Sequence, residues 1–353
     1  MPPRAVGPYD IVSVLGRGGI GTVYRAHHRA TGKPAAVKLL PPSPAADARN
    51  VRRLAREFEA LSSLDHPNVV RVFEAGVAEG YSFLAMELVE GLDLRAWLSP
   101  ALDGVPEPTP PSPSPYFDVE ALGREADTDS FFSGSEGAPG PEAIRDFARL
   151  LDEPETDPGD AAALPRRPVG PPGGAVAREP GPPSAEWLAA LNRPARLGRL
   201  VHAVRQVCDG LAHVHARGLV HRDLKPSNIM VDDTRRVRLM DFGLVSRMGE
   251  ARPAARVVGT YRYMAPEQAR GEAVDGRADL YSVGVILWEM LAGRPPFPAA
   301  GLRMRHLGAT PAPSLLSANP GADPRLAAVT ERLLMRDPGK RFQRAEEVIG
   351  ALG

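Results

Sequence analysis

His221-Arg222-Asp223-Leu224-Lys225-Pro226-Ser227-Asn228, followed thirteen residues after Asn228 by Asp241-Phe242-Gly243, is the stretch that decides how this chain is read. It follows a helix-like pattern and Gly218, precedes the apolar run Ile229 to Val231, and gathers an acid, two cations and an amide into one loop. With Arg222 and Lys225 close in sequence, the Asp223 carboxylate is expected to be ionised and able to orient a hydroxyl, a contribution of roughly 10²–10⁴ in rate. Asn228 and Asp241 together offer oxygen donors of the kind a hard cation prefers. Any one of these features could be ordinary loop chemistry. Their joint order, continued by Ala265-Pro266-Glu267, is not what a solvated loop would produce.

Toward the N-terminus, Leu15-Gly16-Arg17-Gly18-Gly19-Ile20-Gly21-Thr22-Val23 contains G-x-G-x-x-G. Missing side chains there would let backbone N–H groups approach phosphate. The pattern alone fits a ligand-free hairpin equally well. Thr22, Val23 and Tyr24 favour a strand after the glycines, whereas a dinucleotide fold needs a helix. Ala35-Ala36-Val37-Lys38 is an apolar strand ending in an ammonium that is costly to bury without anionic partners. Phosphates and Glu57, on the next helix, are the candidates. A surface lysine at a strand edge is the plain alternative, but lysine is rare here: only Lys33, Lys38, Lys225 and Lys340 occur among 43 basic residues.

From Tyr9 to Glu90 the pattern predicts strands over 10–15, 22–27, 35–40, 69–75 and 83–88, with one helix over 48–64 carrying Val51, Leu54, Phe58 and Leu61 on one face. From about Pro194 onward it predicts helices over 197–216, 280–291, 324–335 and 342–352. Between Ser99 and Glu186 stand 18 of the 38 prolines and 17 acidic against 6 basic residues, a local net of −11 that leaves about +11 elsewhere. Most of that stretch is expected to be disordered, with a short helix over Pro141 to Glu153. The 43 basic and 43 acidic residues cancel, so no global field draws the chain to nucleic acid or an anionic membrane. The lone Cys208 excludes an intramolecular disulfide and reads as a buried small hydrophobe. Met1-Pro2-Pro3-Arg4 lacks an apolar signal core, and no run approaches the ~18 apolar residues of a membrane span. A cytoplasmic location is expected.

These motifs together resemble the protein kinase family, and within it the Hanks-type serine/threonine kinases of bacteria, over about 9–99 and 197–352. The resemblance implies an α+β, bilobal fold: a small β-rich N-lobe with one helix (9–86), a hinge (87–91) and a larger α-rich C-lobe (92–353) interrupted by the 99–186 insertion. It implies ATP and Mg²⁺, with Mn²⁺ as an alternative, and transfer of the γ-phosphate to serine or threonine of protein substrates. Leu15, Gly16, Gly18, Gly21, Val23, Ala36, Met86, Glu87, Val89 and Met230 would surround the nucleotide. Of these, Met86 would be the gatekeeper, and the backbones of Glu87 and Val89 would meet adenine. Lys38 would hold the α/β-phosphates and pair with Glu57, which is placed by its distance from His66-Pro67-Asn68. Asp223 would accept the hydroxyl proton, Lys225 would steady the phosphoryl group, Asn228 and Asp241 would hold metal, and Thr260 would contact Asp223 and Lys225. Glu267 would pair with Arg341, and Asp279 would anchor the catalytic loop from beneath.

The resemblance also carries departures. Between Gly243 and Gly259 the only hydroxyl side chain is Ser246, with Arg247, Arg252 and Arg256 leaving the loop basic. Little dependence on loop phosphorylation is therefore expected. Tyr261 stands where a proline commonly follows Gly-Thr. The acidic insertion reads as a passive loop or as a partner-docking element or lid beside the cleft, and dimerisation is compatible with the pattern. A catalytically dead scaffold would lack Lys38, Asp223, Asn228 or Asp241, and none is missing. A small-molecule kinase would generally lack Ala265-Pro266-Glu267.

Overall fold

The structure, a computed structural model, describes residues 3–17, 21–40, 47–100, 183–243, 245–250, 262–297 and 311–353. The helix expected over Pro141 to Glu153 lies outside the described residues, as do Gly18, Thr260 and Tyr261.

Six strands form one antiparallel sheet in the order β1-β2-β3-β4-β6-β5: β1 Ala5–Val6, β2 Tyr9–Arg17, β3 Thr22–His28, β4 Pro34–Leu40, β5 Val72–Ala78 and β6 Tyr81–Met86. Helix α1, Asp47–Ser62, packs on it through Leu54, Phe58 and Leu61, all buried. The last two strands sit a few residues away from the sequence expectation. Glu79 and Gly80 both have positive φ (50° and 78°), giving a two-residue hairpin that pairs Ala78 with Tyr81 and so fixes the register of both strands. Residues 68–70 leave the small sheet: Val70 N–H donates to Leu239 O, and Leu239 N–H donates to Asn68 O.

The larger, helical body begins with β7 Gly91–Asp93 and α2 Leu94–Trp97. It resumes with α3 Ala185–Leu191, α4 Pro194–Ala216, β8 Leu219–Val220, β9 Ile229–Asp232, β10 Val237–Leu239, β11 Ser246–Arg247, α5 Pro266–Ala269, α6 Gly276–Ala292, α7 Leu315–Ala318, α8 Pro324–Leu333 and α9 Ala345–Ala351. Strands β10-β9-β7 make a small sheet, and β11 pairs with β8. Helix α3 starts inside the stretch expected to be disordered, because Ser184 caps it: its Oγ accepts from Trp187 N–H at 3.1 Å. Helix α6 is buried along nearly its whole length and is apolar on all sides, as a central helix must be. One continuous apolar core joins α1 and the inner face of the sheet to α4, α6 and α8. Cys208 lies inside it, and burial pushes its thiol up to about 12, so it behaves as a hydrophobe.

Arg196 of α4 closes this body. Its guanidinium, buried, donates to Leu98 O (2.7 Å), Leu191 O (2.9 Å) and Met290 O (2.9 Å). These carbonyls stand at the C-terminal ends of α2, α3 and α6, where helix dipoles favour a cation. Two of them flank the 101–182 segment, so the clasp fastens both of its ends to the core. Arg196→Met strands three buried carbonyls at about 1–3 kcal/mol each. A loss of at least about 3 kcal/mol in urea-unfolding free energy is expected, and a loss below 1 kcal/mol would contradict the clasp.

Candidate active site

The loop His221–Asn228 is held from below. Asp279 in the first turn of α6 is fully buried; its Oδ2 accepts from His221 N–H and lies 2.8 Å from His215 Nε2, and its Oδ1 accepts from Arg222 N–H (both N–H···O 2.9 Å). Burial raises its carboxyl, but the His215 contact and the other hydrogen bonds outweigh this and hold the group ionised, below its usual range. The His221 ring stacks on Phe242 (4.4 Å between centroids) and its Nε2 lies 3.0 Å from Met240 O. Met240 N–H donates to Asn228 O. The acid-bearing loop and the Asp241 turn are thereby one unit. Arg222 and Asp241 adopt left-handed backbone (φ 65° and 55°), at a cost of about 1–3 kcal/mol each, a strain typical of functional sites.

On that unit Asp223 Oδ2 accepts from Lys225 Nζ (2.8 Å) and Asn228 Nδ2 (3.2 Å), and Asn228 Nδ2 also donates to Asp223 O (2.8 Å). Burial, which the sequence does not announce, acts here beside the neighbouring cations. Burial dominates and raises the Asp223 carboxyl, with Lys225 offsetting only part and Asp241 adding to the rise. Arg222 contributes little because its guanidinium turns away to Glu250 O.

Across the cleft, Lys38 of β4 reaches both sides. Its Nζ lies 2.9 and 3.1 Å from the Glu57 carboxylate of α1 and 2.9 Å from Asp241 Oδ1. Burial works against the ammonium, but Asp241 and Glu57 outweigh it and raise its pKa. Burial likewise works against the Asp241 carboxylate, and Lys38 outweighs it and holds the group well below the usual range. With Asn228 Nδ2 turned to Asp223, the amide offers Oδ1 as its acceptor. Asp241 Oδ2 is the oxygen not given to Lys38. That pair of hard donors suits a divalent cation completed by phosphate and water. Among the described residues no group of three or more His, Cys, Asp or Glu side chains is arranged to hold a metal.

Ala36 faces Met86 across β4 and β6, and Leu15, Val23 and Val89 pack against the same core. Met230 is buried on β9, paired with Asp93 of β7. Gly16 pairs with Val23 beside an irregularity in β2. A Cβ on Gly21 would lie 2.3 Å from Leu39 O, so the close approach of the next strand demands that glycine, whatever the loop binds. Glu87 N–H is taken by Arg71 O at 2.8 Å. Glu267 and Arg341 form a buried two-pronged pair (2.6 and 2.9 Å). Ser246 is buried in β11.

Sequence reasoning missed several supports. Arg95, Tyr263 and Glu289 form a hydrogen-bonded triad: Arg95 Nη2 donates to Glu289 Oε1 (2.6 Å) and Tyr263 Oη (2.8 Å), and the phenol donates to Glu289 Oε2 (2.6 Å). Buried Asn68 donates to Val237 O and Gln206 Oε1. Arg238 meets Glu87. Each joins residues far apart in sequence, and only Asn68 sits in a motif the sequence offered, His66-Pro67-Asn68, which did not announce these partners.

A family model described as protein tyrosine and serine/threonine kinase matches residues 9–347. The chain is 29% identical to a probable serine/threonine-protein kinase of Streptomyces coelicolor, over 98% of this chain and 40% of that protein. It is 30% identical to the serine/threonine-protein kinase pkn3 of Myxococcus xanthus, over 93% of this chain and 45% of that protein. The chain thus spans less than half the length of these relatives. Its fold is similar to that of the PknI kinase domain of Mycobacterium tuberculosis: TM-score 0.58, 24% identity, 99% of this chain and 95% of that one. Among the described residues no helix is long and apolar enough to cross a membrane.

Asp279→Asn keeps the side chain's shape but turns an N–H donor toward a backbone donor. It is expected to lower stability by about 2–4 kcal/mol, read by chemical denaturation; an unchanged midpoint would show that the loop is anchored otherwise.

Proposed function

Because the chain belongs to the protein tyrosine and serine/threonine kinase family, we propose that it transfers the γ-phosphate of ATP to serine or threonine hydroxyls of protein substrates, in bacterial signalling. The observation that carries this reading is the paired arrangement of two acids. Asp223 stands beside Lys225, and Asp241 is held by Lys38, which in turn is held by Glu57.

In this reading the adenine edge meets the main chain at Glu87 and Val89. With the Glu87 N–H occupied by Arg71, its carbonyl accepts the base's amino group while the Val89 N–H donates to the ring. Leu15, Val23, Ala36, Met86 and Met230 give the base an apolar slot, and Gly16, Gly18 and Gly21 cover the phosphates. Lys38 binds the α/β-phosphates. Asn228 and Asp241 would hold Mg²⁺, or Mn²⁺, which when bound neutralises charge on the β- and γ-phosphates. The substrate oxygen attacks the γ-phosphorus, the bond to the β–γ bridging oxygen breaks, ADP leaves, and Asp223 takes the hydroxyl proton. Burial raises the Asp223 carboxyl despite its pairing with Lys225, which makes it a better proton acceptor than an exposed carboxylate. Lys225 steadies the transferring phosphoryl group, and Thr260 orients Asp223 and Lys225. Use of ATP supports a cytoplasmic location. The charge contrast between the acidic 99–186 stretch and the basic remainder supports docking of partner proteins there.

Incubation with γ-labelled ATP, Mg²⁺ and a mixed protein substrate is expected to label serine and threonine, with Asp223→Asn reducing the rate by about 10²-fold or more. Label on tyrosine alone, or none from the wild type, would refute the reading. Since Ser246 is buried in β11, phosphatase treatment is expected to leave turnover within about twofold; a collapse would show that another site must be phosphorylated.

A further inference from the structure

Arg238 of β10 is a mostly buried cation whose charge is met at the junction between the lobes. Its Nη2 lies 3.1 Å from Glu87 Oε1 and its Nε 3.4 Å from Glu87 Oε2. Its Nη1 is buried without a hydrogen-bond partner among the described residues, so the desolvation of the guanidinium is offset at Glu87. A two-pronged contact fixes the direction of a carboxylate as well as its distance. The two side chains are 11% and 27% exposed, which sets the pair apart from a surface ion pair of little worth.

Both ends of the contact are tied down. Arg238 sits opposite Met230 in the β9–β10 ladder, and its neighbours are fixed as well: Val237 N–H donates to Gln206 Oε1, and Leu239 bonds to Asn68 and Val70. Glu87 follows Met86 at the end of β6 and donates its N–H to Arg71 O, while Arg71 N–H reaches Glu87 Oε2 at 3.4 Å. Side chain and N–H of Glu87 are therefore both committed, which leaves its carbonyl as the one main-chain group of that residue to face a ligand. With N–H and side chain both anchored, the tetrahedral geometry at Cα fixes where the Glu87 carbonyl carbon stands.

We propose that Arg238 is a positioning residue for the nucleotide base: through the Glu87 carboxylate it sets the direction of the Glu87 carbonyl, and so favours a purine bearing an amino group at C6. The proposal rests on the ATP reading above. Arg238 does not touch the base in it. A guanidinium that merely tied two strands together would, on removal, weaken every purine nucleotide alike. One that aims the carbonyl weakens only those nucleotides that donate to it.

The test compares binding of Mg-ATP and of Mg-purine riboside triphosphate, which carries hydrogen at C6, to the full chain by titration calorimetry. In Arg238→Met, ATP is expected to bind about five- to tenfold more weakly, the equivalent of about one neutral hydrogen bond, while the analogue stays within about twofold. Glu87→Gln should show a smaller selective loss, Arg238→Lys a partial return of the preference for ATP, and the double variant no more than the larger single effect. Equal weakening of both nucleotides, or an unchanged preference in all variants, overturns the proposal. If Arg238→Met does not fold, Glu87→Gln and Arg238→Lys decide it by the same comparison. A wild type that binds ATP no better than the analogue refutes the carbonyl contact; a wild type that binds neither refutes the nucleotide reading itself.

Discussion

The Lys38 ammonium is the point on which the two lobes agree. It is 14% exposed, comes from the small sheet, and divides its charge between Glu57 on α1 and Asp241 on the large lobe. An ammonium taken out of water costs several kcal/mol unless it is fully paired. The arrangement therefore holds only while α1 is swung in and the Asp241 turn is in place together. Asp241 in turn depends on Met240, which is gripped by Asn228 and His221, and His221 depends on Asp279 in the central helix. A continuous line of hydrogen bonds thus runs from the buried core of the large lobe to the helix of the small one. Each link is a charged or main-chain group whose loss leaves a buried partner unsatisfied.

The same economy of buried charge appears wherever the large lobe turns a corner. Asp279 orders the loop, Arg341 with Glu267 ties α5 to the turn after α8, Glu289 with Arg95 and Tyr263 fixes the residue before Met264, and Arg196 gathers three helix ends. None of these earns its place as a surface ion pair would, at a fraction of a kcal/mol. Each satisfies at least one buried main-chain or side-chain group, where an unmade hydrogen bond costs about 1–3 kcal/mol. In consequence α2 and α3, which lie on either side of residues 101–182 in sequence, are tied to each other and to α6 by Arg196.

The bilobal fold was legible because its signals are local. The loop at His221, the glycine run and the lysine-terminated strand are short motifs with a reason for each residue, and the Lys38 to Glu57 pairing followed from the family resemblance and the distance of Glu57 from His66-Pro67-Asn68. What was not legible depends on conformation or on contacts across the chain. The register of β5 and β6 turned on Glu79 taking positive φ, which its identity does not announce. The raised carboxyl of Asp223 came from burial, whereas sequence adjacency suggested the opposing influence of Arg222, whose side chain in fact points elsewhere. Arg238 and Glu87 stand 151 residues apart, and neither belongs to a pattern that would pair them. Gly21 was read for phosphate, yet the Leu39 carbonyl already forbids a Cβ there.

The boundary between the lobes also shifts once these contacts are counted. The family resemblance put the small lobe at 9–86 and the hinge at 87–91. Residues 68–70, however, are bonded to β10, and Arg71 and Glu87 are bonded to each other, with Glu87 further held by Arg238. By contacts this stretch belongs to the large lobe although it lies within the small lobe's sequence. The last pairing on the small-sheet side is Val72 with Met86, and the ladder is irregular between Val72 and Glu74. A bulge is where a ladder bends most readily. The junction of the small sheet with this stretch therefore runs through Val72 and Met86. Met86 thus closes the small sheet, whereas Glu87 is held by Arg71 and by Arg238 of β10.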